Sequence, residues 1–256
     1  MGIRPVADLE TQNYRIMTHL NTGTDLQVST ETAIGFIPCY RLPFLSLFHA
    51  DCMEIMKQYP DKYFDLAIVD PPYGIDINMN MGRRKGEKAK HAKKGWDKGI
   101  PNEEYFAELM RISKNQIIWG GNYFPLPLTG GWIFWNKNVP EGVSFADGEL
   151  AWTSFKMVLK KINHTYTGFN GMDEGGKIHP TQKPVDLYQK IIKLYAKDGF
   201  KIIDTHLGSG SIAIAIDKAN TLDKKNLTFV GIELDPDYFR AAVERFKNHK
   251  RQCVLF

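Results

Sequence analysis

The chain has 256 residues, 43% of them hydrophobic and 24% charged, and its formal net charge is +4. This length supports one large α/β domain, and the lack of a long apolar run or a signal-peptide pattern favours a cytoplasmic protein without a membrane segment. The odd number and wide spacing of Cys39, Cys52 and Cys253 argue against a disulfide framework, and no histidine has metal-ligand spacing to them, so we expect no zinc site.

Residues 1–45 show no sustained hydrophobic periodicity, and we predict an N-terminal arm ahead of a main domain over residues 46–250. A strand is predicted to begin at Leu45, and a helix over residues 53–58 follows Asp51 and Cys52. Asp is a preferred N-cap residue, so Asp51 could cap that helix. It could also accept a hydrogen bond from an adenine amino group, and the two roles are compatible.

The most informative stretch is Asp70-Pro71-Pro72-Tyr73-Gly74, which follows a predicted buried strand over residues 64–69. Two prolines cannot donate ladder hydrogen bonds, so strand pairing stops there and the turn lies at the carboxyl edge of a sheet, where α/β folds bind ligands. The Asp70 carboxylate and a proline carbonyl can accept the two hydrogens of an exocyclic amino group on a base. The Tyr73 ring can stack on a base that has left its helix. The alternative is an ordinary strand-ending turn.

Cations dominate residues 78–100, which include glycine and few large apolar side chains. We predict a mobile basic loop there, placed beside the Asp70 turn to hold nucleic-acid phosphates. A solvated loop without a partner is the alternative. The cations expected at phosphates are Arg83, Arg84, Lys85, Lys88, Lys93 and Lys94.

The next part of the chain predicts one helix and three strands. The helix covers residues 101–113 with Asn102 as a candidate N-cap, and a strand follows over residues 116–119. Residues 132–135 and 149–155 suit a closing antiparallel pair. Residues 156–177 mix cations with aromatic rings, which is typical of a nucleic-acid contact and also of an ordinary surface loop. We assign a small recognition region to residues 137–178.

The C-terminal third predicts a nucleoside-binding unit. After a helix that begins near residue 185, a strand over residues 201–204 leads into a glycine turn at residues 205–211 and then a helix over residues 212–219. The next strand, residues 228–232, ends at Glu233, a usual position for an acid that binds ribose hydroxyls. A last amphipathic helix is predicted over residues 236–246. This unit fits S-adenosylmethionine or a dinucleotide.

With these motifs in this order, the sequence resembles the β class of DNA amino-methyltransferases, in which the Asp-Pro-Pro-Tyr motif precedes the cofactor motif. The resemblance covers about residues 46–247. It implies a Rossmann-like fold with a mostly parallel, twisted sheet flanked by helices and a permuted motif order. The matching segments are Asp51-Cys52, Asp70 to Gly74, Gly121-Asn122-Tyr123-Phe124, Thr181-Gln182-Lys183-Pro184, Asp204 to Ser211 and Glu233-Leu234-Asp235-Pro236.

The resemblance also implies roles for individual residues. Asp70 and a carbonyl of Pro71 or Pro72 would accept hydrogens from the target amino group, and Tyr73 would stack on the flipped base. Family members often have Asp-Pro-Phe before the glycine turn, so His206 puts the tight packing of this turn in question. The residues implied at S-adenosylmethionine are Asp51, Cys52, Thr181, Lys183, Asp204, His206, Leu207, Gly208, Ser209, Gly210, Ser211, Glu233 and Leu234.

The expected reaction is direct in-line methyl transfer to adenine N6 in a specific sequence of double-stranded DNA, without a nucleophilic cysteine or a metal. Asp70 favours adenine, because Ser-Pro-Pro-Tyr is commoner among the N4-cytosine enzymes of the family. The alternatives are an N4-cytosine enzyme, then an RNA methyltransferase. From a different class, an NAD-dependent oxidoreductase would leave the Asp70 turn unexplained. Monomer and homodimer are both compatible with these motifs.

The last residues carry a separate motif. Gln252, Leu255 and Phe256 resemble the Gln-x-x-Leu-Phe peptides by which bacterial DNA enzymes dock on the sliding clamp. The alternative is a tail, over residues 251–256, that folds back onto the domain.

Overall fold

The computed structural model describes residues 37–75, 97, 99–142, 146–166 and 176–253. Most of the predicted basic loop therefore lies outside the described residues, as do Leu255 and Phe256 of the clamp motif and part of the predicted recognition region. Within the described residues, nine strands form one sheet. They are β1 (Tyr40–Leu42), β2 (Leu45–His49), β3 (Phe64–Val69), β4 (Ser113–Trp119), β5 (Trp132–Asn136), β6 (Gly148–Thr153), β7 (Lys160–Asn163), β8 (Lys201–Asp204) and β9 (Thr228–Glu233).

Helices flank the sheet, and the N-cap residues explain where the first two helices begin. The Asp51 side chain accepts a hydrogen bond from the Met53 amide, and Asn102 Oδ1 accepts one from the Tyr105 amide at 2.9 Å. Both predicted N-caps are thus confirmed, because each supplies an acceptor to an amide of the first turn. The helices are α1 (Cys52–Met56), α2 (Glu103–Ile112), α3 (Val185–Tyr195), α4 (Ser211–Leu222) and α5 (Pro236–Cys253).

The strand order is β1-β2-β9-β8-β3-β4-β6-β5-β7. Strands β2, β9, β8, β3 and β4 are parallel, whereas β6 pairs with β4 and β5 in the antiparallel sense. From β3 the chain proceeds outward to β4, and from β8 it proceeds in the opposite direction to β9. The boundary between β3 and β8 is therefore a topological switch point, and the carboxyl ends of these two strands define a ligand crevice.

Apolar side chains cover both faces of the sheet. On one face, residues such as Leu66 and Ile68 pack with the inner sides of α3, α4 and α5. On the other face, Ala67 and Val69 pack with α1 and α2. Residues of β3 point alternately to the two layers, so the strand is buried on both sides and holds the turn that follows it in a fixed position.

The mostly parallel α/β sheet with flanking helices confirms the predicted fold class. Two short edge strands, β1 and β7, were not predicted, because neither has a hydrophobic alternation long enough to stand out. The last helix continues to Cys253, seven residues beyond its predicted end, since its final turns are polar and lack the apolar periodicity. In the part of the chain that the structure describes, no helix combines the length and apolar character needed to cross a membrane.

Candidate active site at the switch point

The Asp70 turn and the glycine turn meet at the carboxyl edge of adjacent strands. Leu66 and Ala67 of β3 pair with Ile202 and Ile203 of β8, so the residues that follow the two strands lie side by side. The two prolines after Asp70 end the ladder, as predicted, and Pro71 is buried.

The Asp70 carboxylate has a close partner on each oxygen. Oδ1 accepts a hydrogen bond from the Tyr73 hydroxyl at 2.6 Å, and Oδ2 accepts one from Lys183 Nζ at 2.6 Å. Burial raises the pKa of Asp70, and the attraction of the Lys183 ammonium offsets part of that effect. Lys183 thus lies at the Asp70 carboxylate, a contact that its sequence position did not predict.

Lys183 also belongs to a chain of alternating charges. Its Nζ lies 3.1 Å from Glu149 Oε2, and Glu149 Oε1 lies 2.6 Å from Lys137 Nζ. Burial alone would lower the pKa of Lys183, but Asp70 and Glu149 outweigh it and raise that pKa, so the ammonium stays protonated. Burial alone would raise the pKa of Glu149, but the two lysines lower it to about 2. Glu149 had no predicted role.

The Tyr73 ring is held on two sides. It stacks on Tyr123, with 5.1 Å between ring centroids and an interplanar angle of 12°, and it meets Phe124 edge to face. Tyr123 is 46% exposed, so it presents an aromatic surface at the mouth of the crevice. The sequence pattern had marked Tyr123 only as part of a motif, without a role.

The glycine turn is fixed by Glu233. Gly208 donates its amide hydrogen to Glu233 Oε2 at 2.8 Å, and the Asp235 amide donates to Oε1 at 2.9 Å. Gly208 and Gly210 have φ values of +52° and +71°, a conformation that glycine adopts without steric cost. Burial raises the pKa of Glu233, and its amide donors counteract part of the rise. The acid at the end of β9 therefore shapes the turn as well as facing the ligand edge.

Most other residues of the glycine turn are buried, and two serines among them contact α5. Asp204 is buried and accepts the His206 amide hydrogen at 2.9 Å, while burial raises the pKa of Asp204 to about 8. Leu207, Ser209 and Ser211 are buried as well. Arg245 Nη1 donates to the Ser209 carbonyl and to Ser211 Oγ, each at 2.9 Å. These two serines tie the turn to α5.

His206 fits where the family often has Phe. Its ring meets the Tyr105 ring edge to face at 5.3 Å, and its Nδ1 lies 2.9 Å from Thr205 Oγ1. Burial lowers the pKa of His206 to about 4, so the ring is neutral at pH 7. The turn therefore remains closely packed, and Tyr105, which sequence reasoning had not identified, is the reason.

A cleft of about 260 Å³ opens beside the turn. It brings Cys52, Pro72 and His206 together, which lie far apart in the sequence. Burial raises the pKa of Cys52 to about 12, so its thiol is protonated at neutral pH. The rest of the lining is Met53, Gly99, Ile100, Pro101, Asn102 and Tyr105.

The remaining predicted residues lie around this edge with different degrees of exposure. Asp51 is exposed and caps α1. Thr181 Oγ1 lies 3.1 Å from His179 Nδ1, and a Cβ on Gly208 would lie 3.7 Å from that imidazole ring. Leu234 is exposed, and its carbonyl oxygen lies 3.1 Å from His49 Nε2.

One end of the predicted basic loop is anchored at the site. The Gly74 amide donates to the buried carboxylate of Asp97 at 2.9 Å. The nucleic-acid contacts expected of Arg83, Arg84, Lys85, Lys88, Lys93 and Lys94 concern residues outside those described. In the described part of the chain, no group of three or more His, Cys, Asp or Glu residues is arranged to hold a metal ion.

The switch-point crevice, with an acidic turn on β3 and a glycine turn on β8, is the ligand site of a Rossmann-like α/β fold. The chain is also similar to known DNA methyltransferases. The family described as "DNA methylase" matches residues 118–244. The Type II methyltransferase M.HinfI of Haemophilus influenzae is 26% identical over 253 residues, covering 80% of this chain and 69% of that protein.

Two solved structures share the fold. The M1.HpyAVI–SAM complex has a TM-score of 0.53 at 20% identity, and the match covers 79% of this chain and 98% of that one. The PvuII DNA methyltransferase (cytosine-N4-specific) also has a TM-score of 0.53, at 15% identity, covering 83% of this chain and 89% of its own. Together with the ordered motifs, the family match and the relative M.HinfI support a DNA amino-methyltransferase family for this chain.

Proposed function

We propose that this protein transfers a methyl group from S-adenosylmethionine to N6 of adenine in a specific sequence of double-stranded DNA. The observation that carries the proposal is the juxtaposition of the Asp70 turn and the glycine turn at one switch point. One turn supplies acceptors suited to an amino group, and the other supplies a nucleoside-binding edge. Both are needed for transfer between a bound cofactor and a base.

The residues of the β8 and β9 edge fit the cofactor. The cleft beside His206 combines apolar and aromatic walls, which suit an adenine ring, and Asp51 stands exposed near it. Glu233 lies at the end of β9, where carboxylates bind ribose hydroxyls, and Gly208 lets the backbone approach closely. S-adenosylmethionine supplies an electrophilic methyl group on its sulfonium.

The residues of the β3 turn suit the amino group. An exocyclic amino nitrogen is a poor nucleophile while its lone pair is delocalised into the base. Asp70 and a proline carbonyl would accept its two hydrogens and orient the lone pair along the line of transfer. Tyr73 and the exposed ring of Tyr123 offer aromatic surfaces for an extruded base. The predicted basic loop, residues 78–100, would hold backbone phosphates.

Asp at the first position of the Asp-Pro-Pro-Tyr motif supports adenine over cytosine. Both bases present an amino group with the same two hydrogens, so the geometry of Asp70 is compatible with either. The N4-cytosine reaction is therefore the second candidate, with the same residues in the same roles.

The test is methyl transfer from labelled S-adenosylmethionine to unmethylated duplex DNA, followed by digestion to nucleosides and mass analysis. We expect N6-methyladenine from the parent protein and none from Asp70→Ala. N4-methylcytosine would keep the mechanism and overturn the target base. Transfer to RNA in a competition assay, or binding of NAD in place of S-adenosylmethionine, would refute the proposal.

A further inference from the structure

The Lys183 ammonium is shared between two carboxylates on different strands. It lies 2.6 Å from Asp70 Oδ2, at the end of β3, and 3.1 Å from Glu149 Oε2, near the start of β6. Because β6 is antiparallel to β4, its first residues lie at the same edge of the sheet as the Asp70 turn. The Lys183 side chain is only 3% exposed, so water does not screen these contacts strongly.

The two carboxylates are not equally engaged. Both oxygens of Asp70 accept hydrogen bonds, one from Tyr73 and one from Lys183. Glu149 Oε2, in contrast, is buried and accepts no well-aligned hydrogen bond among the described residues, although it faces Lys183. A buried acceptor without an aligned donor is uncommon and calls for an explanation.

The Lys183 ammonium at Asp70 affects the reaction proposed above. A target amino group needs an acceptor on Asp70, and its nitrogen gains positive charge as the methyl group arrives. An ammonium at 2.6 Å from the carboxylate competes for the acceptor and repels that charge. Release of Lys183 from Asp70 would therefore favour binding of the amino group and its methylation.

On this basis, and resting on the proposed function, we propose that Glu149 is a positioning residue for methyl transfer. Glu149 receives the Lys183 ammonium when the target amino group occupies Asp70, and Lys137 holds the Glu149 carboxylate in place for that exchange. Lys183 stays protonated throughout, so the exchange makes and breaks no covalent bond. It moves one positive charge away from the reacting nitrogen.

The surroundings of Lys183 suit such a shift. Its Nζ lies 5.0 Å from the centroid of the Trp119 ring and 5.7 Å from that of Tyr73, so aromatic faces stabilise the cation on its way. On the far side of Glu149, Lys137 Nζ lies 2.6 Å from Oε1 and fixes the carboxylate. The Glu149 carboxylate is thus already positioned to hold the Lys183 ammonium.

The test compares Glu149→Gln with Asp147→Asn. Asp147 is exposed and two residues away, so the control removes the same charge near the same hairpin. For Glu149→Gln we expect kcat to fall about tenfold or more, while KM for DNA and Kd for S-adenosylmethionine each change less than about threefold. Asp147→Asn should match the parent.

The pH profile separates positioning from a structural role. Without Glu149, Lys183 loses one of two anions that raise its pKa, so it releases its proton at lower pH. The kcat deficit of Glu149→Gln should then shrink toward high pH, whereas a structural defect would persist. The charged and titratable groups around Lys183 and its two carboxylate partners are Tyr73, Lys137, Lys177, Tyr188 and Asp204.

A double-mutant cycle completes the test. In a Lys183→Met background, Glu149→Gln should lower kcat by less than about twofold further, because Glu149 acts through Lys183. Thermal melting of each variant shows whether it is folded, and Glu149→Asp, which keeps the charge, should recover part of the activity. Equal kcat for Glu149→Gln and Asp147→Asn, or a pH-independent deficit, would overturn the proposal while leaving the proposed function intact. An inactive parent protein would overturn both.

Discussion

Gly120 lies directly against the ring of Tyr73. A Cβ added at Gly120 would be 2.2 Å from Tyr73 Cε1 and 2.5 Å from Cδ1, and the φ of Gly120 is +67°. The backbone of Gly120, just after β4, therefore packs directly against the Tyr73 ring. With Tyr123 stacked on the same ring, this contact sets where the Tyr73 hydroxyl meets Asp70.

Gly120→Ala should displace the Tyr73 ring and lower methyl transfer about tenfold or more, because the reacting groups lose alignment. The clash and the left-handed backbone should together cost about 1–3 kcal/mol of unfolding free energy. Gly199→Ala is the matched control, since Gly199 has φ +73° and no atom within 4 Å of its added Cβ. It should lose stability with unchanged transfer. Activity assays and urea unfolding report the two effects, and equal activities for the two variants would contradict the idea.

Asp204→Asn should change the pH dependence of stability. Burial raises the folded-state pKa of Asp204 to about 8, above the unfolded value near 4. Between these values the folded state holds a proton that the unfolded state has lost, so stability falls as pH rises, by at most about 1.4 kcal/mol per pH unit. Asn keeps the oxygen that accepts the His206 amide hydrogen and removes the titration. Urea unfolding at pH 6.5 and 8.5 should show the parent losing stability over this interval and the variant losing less.

His206→Phe should increase the stability of the folded protein at acidic pH relative to the parent. The folded-state pKa of His206 is lowered to about 4, below the unfolded value near 6.5. As pH falls from about 6.5 to about 4, the unfolded state gains a proton that the folded state excludes, so this histidine costs stability there. Phe retains the ring contact with Tyr105 and removes that loss. Urea unfolding at pH 7 and pH 5 measures this loss of stability. If the variant loses as much stability as the parent between these pH values, His206 is not the source.

Neutralising the basic loop should weaken DNA binding without affecting S-adenosylmethionine. We expect the combined change of Arg83, Arg84 and Lys85 to Gln to reduce the slope of log K against log salt by about 0.9 for each phosphate that the variant no longer neutralises. Fluorescence anisotropy over a salt series measures the slope. The control variant should leave the slope unchanged. It replaces three exposed lysines near the amino edge of β8 and β9, which are Lys193, Lys197 and Lys224.

Changing Leu255 and Phe256 to Ala should abolish pull-down by a bacterial sliding clamp and spare methylation of short duplexes, because the apolar end of the motif would fill the clamp groove. Gln252, the first residue of the motif, is exposed in the last turn of α5. Undiminished pull-down would remove the clamp proposal and leave the active site unaffected.

Local rules were sufficient for much of this fold. The strand before Asp70 was predicted with its observed bounds, Phe64–Val69, because a buried central strand must be apolar on both faces. The N-cap at Asn102 followed from its side chain alone. In contrast, β7 has the sequence Lys-Lys-Ile-Asn, and only its pairing with β5 makes it a strand.

The sequence by itself determined most of the elements, their order and the chemistry of the two turns, since proline, glycine and periodic apolar residues act on their immediate neighbours. Only the tertiary structure decided which charges meet. Lys183 is 113 residues from Asp70 in the chain and reaches it because the segment before α3 passes over the carboxyl edge of β3. Glu149 joins them because β6 runs antiparallel to β4. Such long-range contacts between single side chains leave no periodic signal in the sequence, because the packing of the whole sheet determines them.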